Sequence, residues 1–170
     1  MSQSNRSERP APVQEHDLVP SGRGFIALLE AFRAAGGTAP GEVVGRLLDE
    51  HRPGPAVSLA KLIFTGQVFG FEWRGSLWIP MFQFDAVDLT LKASVQQVRA
   101  ALPPQASGWA LASWFAQPHS RLGGLRPVDR LEADLPAVLR AARASTPGAD
   151  AAASRTLEPV HEAREVAAHA

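Results

Sequence analysis

The chain has 170 residues, no cysteine, 45% apolar residues, and 17 Lys+Arg against 17 Asp+Glu, a formal net charge of +0. That length suits one compact domain or two very small ones, with enough apolar residues for a buried core. The lack of cysteine excludes disulfides, thiolate metal sites and a cysteine nucleophile. The neutral charge argues against DNA binding as the sole role, because such proteins draw most of their affinity from phosphate neutralisation.

Residues 1–23 are rich in Ser, Pro and charge and read as a disordered leader without a hydrophobic signal core. No apolar run approaches the roughly 18 residues that span a bilayer, so no membrane partner is expected and the location expected is cytoplasmic. Phe25, Leu28, Leu29 and Phe32 lie at helical spacing and predict a helix over 24–35, stopped by Gly36-Gly37. Pro40 is expected at the first position of a second helix carrying Val43, Val44, Leu47 and Leu48. Arg52-Pro53-Gly54-Pro55 breaks it, and Ser58 caps a short third helix with Leu59, Leu62 and Ile63 inward. The period then changes: Phe69, Phe71 and Trp73 alternate, as do Leu77 and Ile79 after Arg74-Gly75-Ser76, which predicts a β-hairpin. Three helices and a hairpin are the layout of a winged helix-turn-helix.

The second part of the chain is helical throughout. Leu91, Val95, Val98 and Leu102 form an i, i+4, i+7, i+11 stripe and predict a helix over 91–102, ended by Pro103-Pro104. Trp109, Leu111, Ala112, Trp114 and Phe115 mark another helix, ended by Pro118. Pro127 starts a further helical turn through Leu131, and Leu135, Val138, Leu139 and Ala142 mark the last helix. Residues 146–170 read as a disordered tail of small residues. The fold class expected is mostly α: a small helical bundle over 86–145, preceded over 24–85 by a helix-turn-helix-like unit with a β-hairpin wing.

No catalytic or metal constellation is visible, and no cofactor is expected. The five histidines, His16, His51, His119, His161 and His169, form no His-x-x-x-His or His-Glu-x-x-His spacing. Asp85 and Asp88 read as loop carboxylates, and Ser58 and Ser113 have no base beside them in sequence. For DNA, the third helix would be the reading element, with Lys61 as its cation, Gln67 and Arg74 nearby, and Arg46 and Arg52 within reach of phosphates. The apolar run LAKLIF argues for burial instead, so the unit serves either an operator or packing and homodimerisation.

Two stretches stand out. Ile79-Pro80-Met81-Phe82-Gln83-Phe84-Asp85 reads as a buried clamp between the two parts or as a contact surface. The stretch from Trp114 to Leu131 is densely specified: a Trp, a Pro-His-Ser turn, Gly123-Gly124, then Pro127. Trp109, Trp114, Phe115, His119, Arg121, Arg126 and Arg130 gather there, and Trp, Phe and Arg are types enriched at interface hot spots. For Trp109 and Trp114 a place in the core is an equal alternative.

The segments WIPMFQFD and WFAQPHSRLGGLRPVDRL resemble the hallmark of the antitoxin Xre/MbcA/ParS-like toxin-binding domain family. The resemblance rests on Trp114, Pro118, Leu122, Gly124, Pro127 and Leu131, with departures at Phe115 (usually Leu) and His119 (usually Asn). It covers 78–144 well and 24–77 loosely. It implies a non-enzymatic antitoxin whose partner is a RES-domain toxin that depletes NAD, and which represses the shared operon. A regulator that binds DNA without a toxin partner is the alternative.

Overall fold

A computed structural model describes residues 20–51 and 58–145. Of the leader expected over 1–23, residues 1–19 lie outside the described residues, as do the tail over 146–170 and Arg52, whereas Gly22 and Arg23 already belong to the first helix.

Helix α1 (Gly22–Phe32) begins where the Ser21 hydroxyl accepts a hydrogen bond from the Gly24 N–H at 3.1 Å. That cap satisfies one of the orphan donors of the first turn. A single 3-10 turn, Arg33–Ala35, carries the chain into Gly36-Gly37, both left-handed. The next segment departs from expectation. Thr38–Pro40 is a strand, β1, and Pro40 ends it rather than opening a helix. Helix α2 (Gly41–His51) starts one residue later. Helix α3 (Leu59–Phe64) is capped by Ser58, whose hydroxyl accepts from the Lys61 N–H at 3.3 Å.

The hairpin forms as expected from β2 (Phe71–Trp73) and β3 (Ser76–Pro80). Its turn places Arg74 and Gly75 at φ 51° and 76°, the two positive angles of a primed turn. Arg74 is the strained member, and its guanidinium lies over the Trp73 ring at 5.6 Å, a contact that offsets part of that strain. The sheet order is β1-β3-β2, all antiparallel. Helices α4 (Ala93–Ala101), α5 (Gly108–Ala116), α6 (Pro127–Arg130) and α7 (Leu135–Ala144) complete the mostly α architecture. Leu91, expected in the first turn of α4, instead bridges Phe84 in an antiparallel pair.

Period-two alternation along β3 makes the sheet a wall between two cores. Leu77 and Ile79 face α2 and α3, in a core with Val44, Leu48, Leu59 and Leu62. Phe71, Trp73 and Trp78 face the other side, where α1 packs with the bundle. That larger core joins Leu28 and Phe32 to Val98, Trp109, Phe115 and Val138, so the boundary expected between 85 and 86 runs through it. Helix α1 is thus packed on α5 rather than forming a trihelical core with α2 and α3.

Two contacts lock the sheet, one within the first part of the chain and one onto α5. The fully buried Gln83 side chain acts as a short extra strand: its Oε1 accepts from the Phe69 N–H at 2.9 Å, and its Nε2 donates to Phe69 and Pro80 carbonyls at 2.8 and 3.0 Å. Its oxygen and both of its N–H groups are thereby engaged, which is what makes a buried amide tolerable. The second is a backbone contact between Gly70 and Gly108. A Cβ on Gly108 would overlap the Gly70 carbonyl, and one on Gly70 would fall 2.9 Å from the Trp78 carbonyl oxygen. The N-terminus of α5 lands on the strand with no side chain between them. Gly108→Ala is expected to destabilise the fold by about 1–3 kcal/mol or more through overpacking, although alanine favours helix elsewhere. Urea unfolding checks this: the midpoint falls while the slope is unchanged.

Candidate interaction surface

The segment from Trp114 to Leu131 folds into a closed corner at the end of α5. The chain leaves α5 at Gln117, and the His119 N–H donates to the Leu125 carbonyl at 3.0 Å while the Gly124 N–H donates back to the His119 carbonyl at 3.0 Å. Gly124 sits at φ 80°, a region costly for a side-chain-bearing residue. Inside the loop, a 3-10 turn (Ser120–Leu122) points Leu122 into the core, and His119 Nδ1 accepts from the Arg121 N–H at 3.3 Å. Pro127 then takes the first position of α6, where its fixed φ suits the helix and its missing N–H leaves no orphan. Pro127 and Leu131 are buried, whereas Pro118 is exposed.

The residues expected as partner contacts separate into three groups. Trp109 and Phe115 are core, 8% and 0% exposed, and present no contact surface. Phe115 stacks on Phe69 at 5.7 Å and meets Phe82 at 4.9 Å, while Trp109 meets Phe71 edge-on at 5.3 Å. Trp114 is half-buried: its Nε1 donates to Ser145 Oγ at 3.0 Å, and its ring lies 6.0 Å from His119. His119 is also half-buried, Arg121 is exposed, and Leu125, which was not among the expected contacts, is 48% exposed in the same turn. Arg126 and Arg130 are half-buried and held locally, Arg126 by a two-bond pair with Asp129 at 2.6 and 2.9 Å, and Arg130 by Asp134 at 3.7 Å. Such surface pairs are worth at most about 1 kcal/mol, so a partner carboxylate can replace the internal one.

A groove of about 610 Å³ runs beside this corner. Val128, Asp129 and Leu131 of the α6 region form one wall, Ala34, Ala35 and Gly36 after α1 another, and Met81, Phe82 and Phe84 the floor. In the aromatic stretch over 79–85, Phe82 and Phe84 are buried, as the clamp reading expects, and they also line the groove. Across one side, Lys92 Nζ pairs with Glu132 at 2.6 Å. Lys92 and Glu132 carry no signal in the sequence, because residues 40 apart share no spacing pattern.

The residues expected to meet DNA are scattered. Arg46 and Lys61 are exposed on α2 and α3, and Gln67 lies just beyond α3, its carbonyl accepting from the Gln96 side chain at 2.6 Å. Arg74 sits at the hairpin tip, which is held on the bundle side: Trp73 stacks on Phe25 of α1 at 5.3 Å. Among the described residues no helix is long and apolar enough to cross a membrane, and no cluster of three His, Cys, Asp or Glu side chains could hold a metal ion. Comparison with protein-family models, with curated proteins and with solved structures yields no match.

The Trp114–Ser145 bond ties the corner to the end of α7. Trp114→Phe and Ser145→Ala are each expected to lower stability by about 0.5–1.5 kcal/mol. The double variant is expected to lose less than the sum of the two, which a double-mutant cycle by chemical denaturation measures.

Proposed function

We propose that this chain is the antitoxin of a type II toxin–antitoxin pair, a non-catalytic protein that binds and neutralises a RES-type NAD-depleting toxin. The observation that carries the reading is the corner itself. The six positions of the family-like pattern each take a role suited to their residue type: Trp114 anchors to Ser145, Leu122, Pro127 and Leu131 are buried, Gly124 takes a left-handed angle, and exposed Pro118 lies just past the end of α5. A corner so specified presents Arg121 and Leu125 on a rigid frame, which lowers the ordering entropy that a flexible loop loses on binding. Neutralisation results if the bound chain covers the toxin's NAD site.

Co-expression with the adjacent gene tests this. The two products are expected to purify as one complex, and the antitoxin is expected to restore growth and NAD levels lost when the neighbour is expressed alone. Leu125→Asp is expected to weaken capture about tenfold or more while the chain remains folded, because the side chain is exposed. Absence of a complex, together with no rescue of NAD, ends the reading.

The second reading is a DNA-binding regulator, either of its own operon or without any toxin. It is favoured by the order helix, strand, helix, helix, strand, strand over 22–80, with Arg46 and Lys61 both exposed. Against it, α3 has six residues and Lys61 as its sole cation. A gel shift with the upstream promoter fragment decides. Binding that weakens with salt and with Arg46→Ala or Lys61→Ala supports it, and no shift at low salt eliminates it.

A further inference from the structure

We infer that the groove between α6 and the 81–86 segment is a docking site for a basic protein segment that inserts one large apolar side chain. Only the partner's identity rests on the antitoxin reading; the chemistry of the groove stands without it.

The floor is apolar and preformed. Met81, Phe82, Phe84 and Leu131 line it, and three of these are buried side chains held by the two cores, so an inserted side chain meets a surface that need not rearrange. A volume of about 610 Å³ is ample for one aromatic or branched aliphatic side chain with its flanking backbone.

Several of the polar side chains around that floor are already engaged. Asp85 Oδ1 accepts from the Val87 N–H at 2.8 Å, Asp129 holds Arg126, and Lys92 holds Glu132. The buried polar atoms that lack a partner among the described residues belong to Thr38, Trp78, Trp109 and Ser113, and none of them lines the groove. None of those orphaned buried atoms is therefore aimed into the groove to fix the orientation of a small polar metabolite. An apolar anchor needs no such atom.

Charge selects what flanks the anchor. Asp85, Asp129 and Glu132 line the groove against Lys92, the single lining cation among the described residues, a formal excess of two negative charges. Lys92 is itself paired with Glu132 at 2.6 Å and Asp129 with Arg126 at 2.6 Å, so the lining carboxylate without a cationic partner among the described residues is Asp85. Lysine or arginine beside the apolar anchor is attracted to this rim, and acidic segments are repelled.

The test uses the full chain and a library of short random peptides displayed on phage. Selection is expected to enrich sequences with Trp, Phe, Leu or Ile beside Lys or Arg. Ala86→Trp narrows the groove from an exposed position on its lining, so the fold is expected to survive, and binding of the enriched peptides is expected to fall about tenfold or more. Asp85→Asn keeps the shape, since its amide oxygen can still accept from the Val87 N–H, and removes the unpaired negative charge. It is expected to weaken binding at low salt and to flatten its salt dependence. No enrichment, enrichment of acidic peptides, or binding unaffected by Ala86→Trp would each overturn the proposal. So would a small molecule retained by the wild-type chain and lost from Ala86→Trp in native mass spectrometry. Failure of co-expression with a toxin leaves these outcomes intact, so the two readings fail separately.

Discussion

Two glycines that touch determine where the bundle sits. Gly70 enters β2 and Gly108 begins α5, and their backbones meet without an intervening side chain. From that point α5 carries Trp109 onto Phe71 and, six residues later, Phe115 between Phe69 and Phe82. The helix then ends at the corner that launches α6. A displacement of a fraction of an ångström at Gly108 would be transmitted along a stiff helix into every one of those ring contacts, because a close-packed interior has no slack to absorb it. Domains of this size are stabilised by only about 5–15 kcal/mol in total, so one such contact is a large share.

Gln83 plays the complementary part at the end of the β2–β3 pair. By bonding to the Phe69 N–H and carbonyl and to the Pro80 carbonyl, it bridges the approach to β2 and the end of β3, where the two strands no longer pair directly. It also fixes the 3-10 turn Met81–Gln83, and with it the orientation of Phe82 and Phe84. The groove floor is thus a by-product of satisfying a buried amide. A polar requirement in the core shapes an apolar surface at the edge of the molecule.

Much of this was legible in the sequence, and the failures have definite causes. The helices of the second half arise from their apolar spacing, and the hairpin from alternation around Arg74-Gly75. Strand β1 was not legible, because Gly-Gly-Thr-Ala-Pro has no alternation and its pairing partner, Trp78–Pro80, lies some forty residues on. Periodicity showed which face of α1 is apolar but not which neighbour it meets; that choice is made by Phe25 and Leu28 packing with Trp73, Trp78 and the bundle. At the corner, the turn residues Gly124 and Pro127 were readable from local backbone chemistry. The fates of Trp109 and Phe115 were not, since an aromatic on a helix looks the same in sequence whether it faces the core or a partner. The groove was only half visible: its aromatic floor is a contiguous stretch, while its charged rim is assembled from residues far apart in the chain.

The sheet that divides the two cores also connects them. Phe84 is buried with α2 and α3 in the smaller core, and it lines the groove beside α6. A ligand that distinguishes an ordered α2–α3 layer from a loosened one therefore changes the groove through Phe84, and an occupant of the groove that makes the same distinction changes the layer by an equal factor. Such thermodynamic coupling is reciprocal by necessity. In a protein that holds a partner on one face and touches DNA with the other, this one phenylalanine would make the two occupancies report on each other.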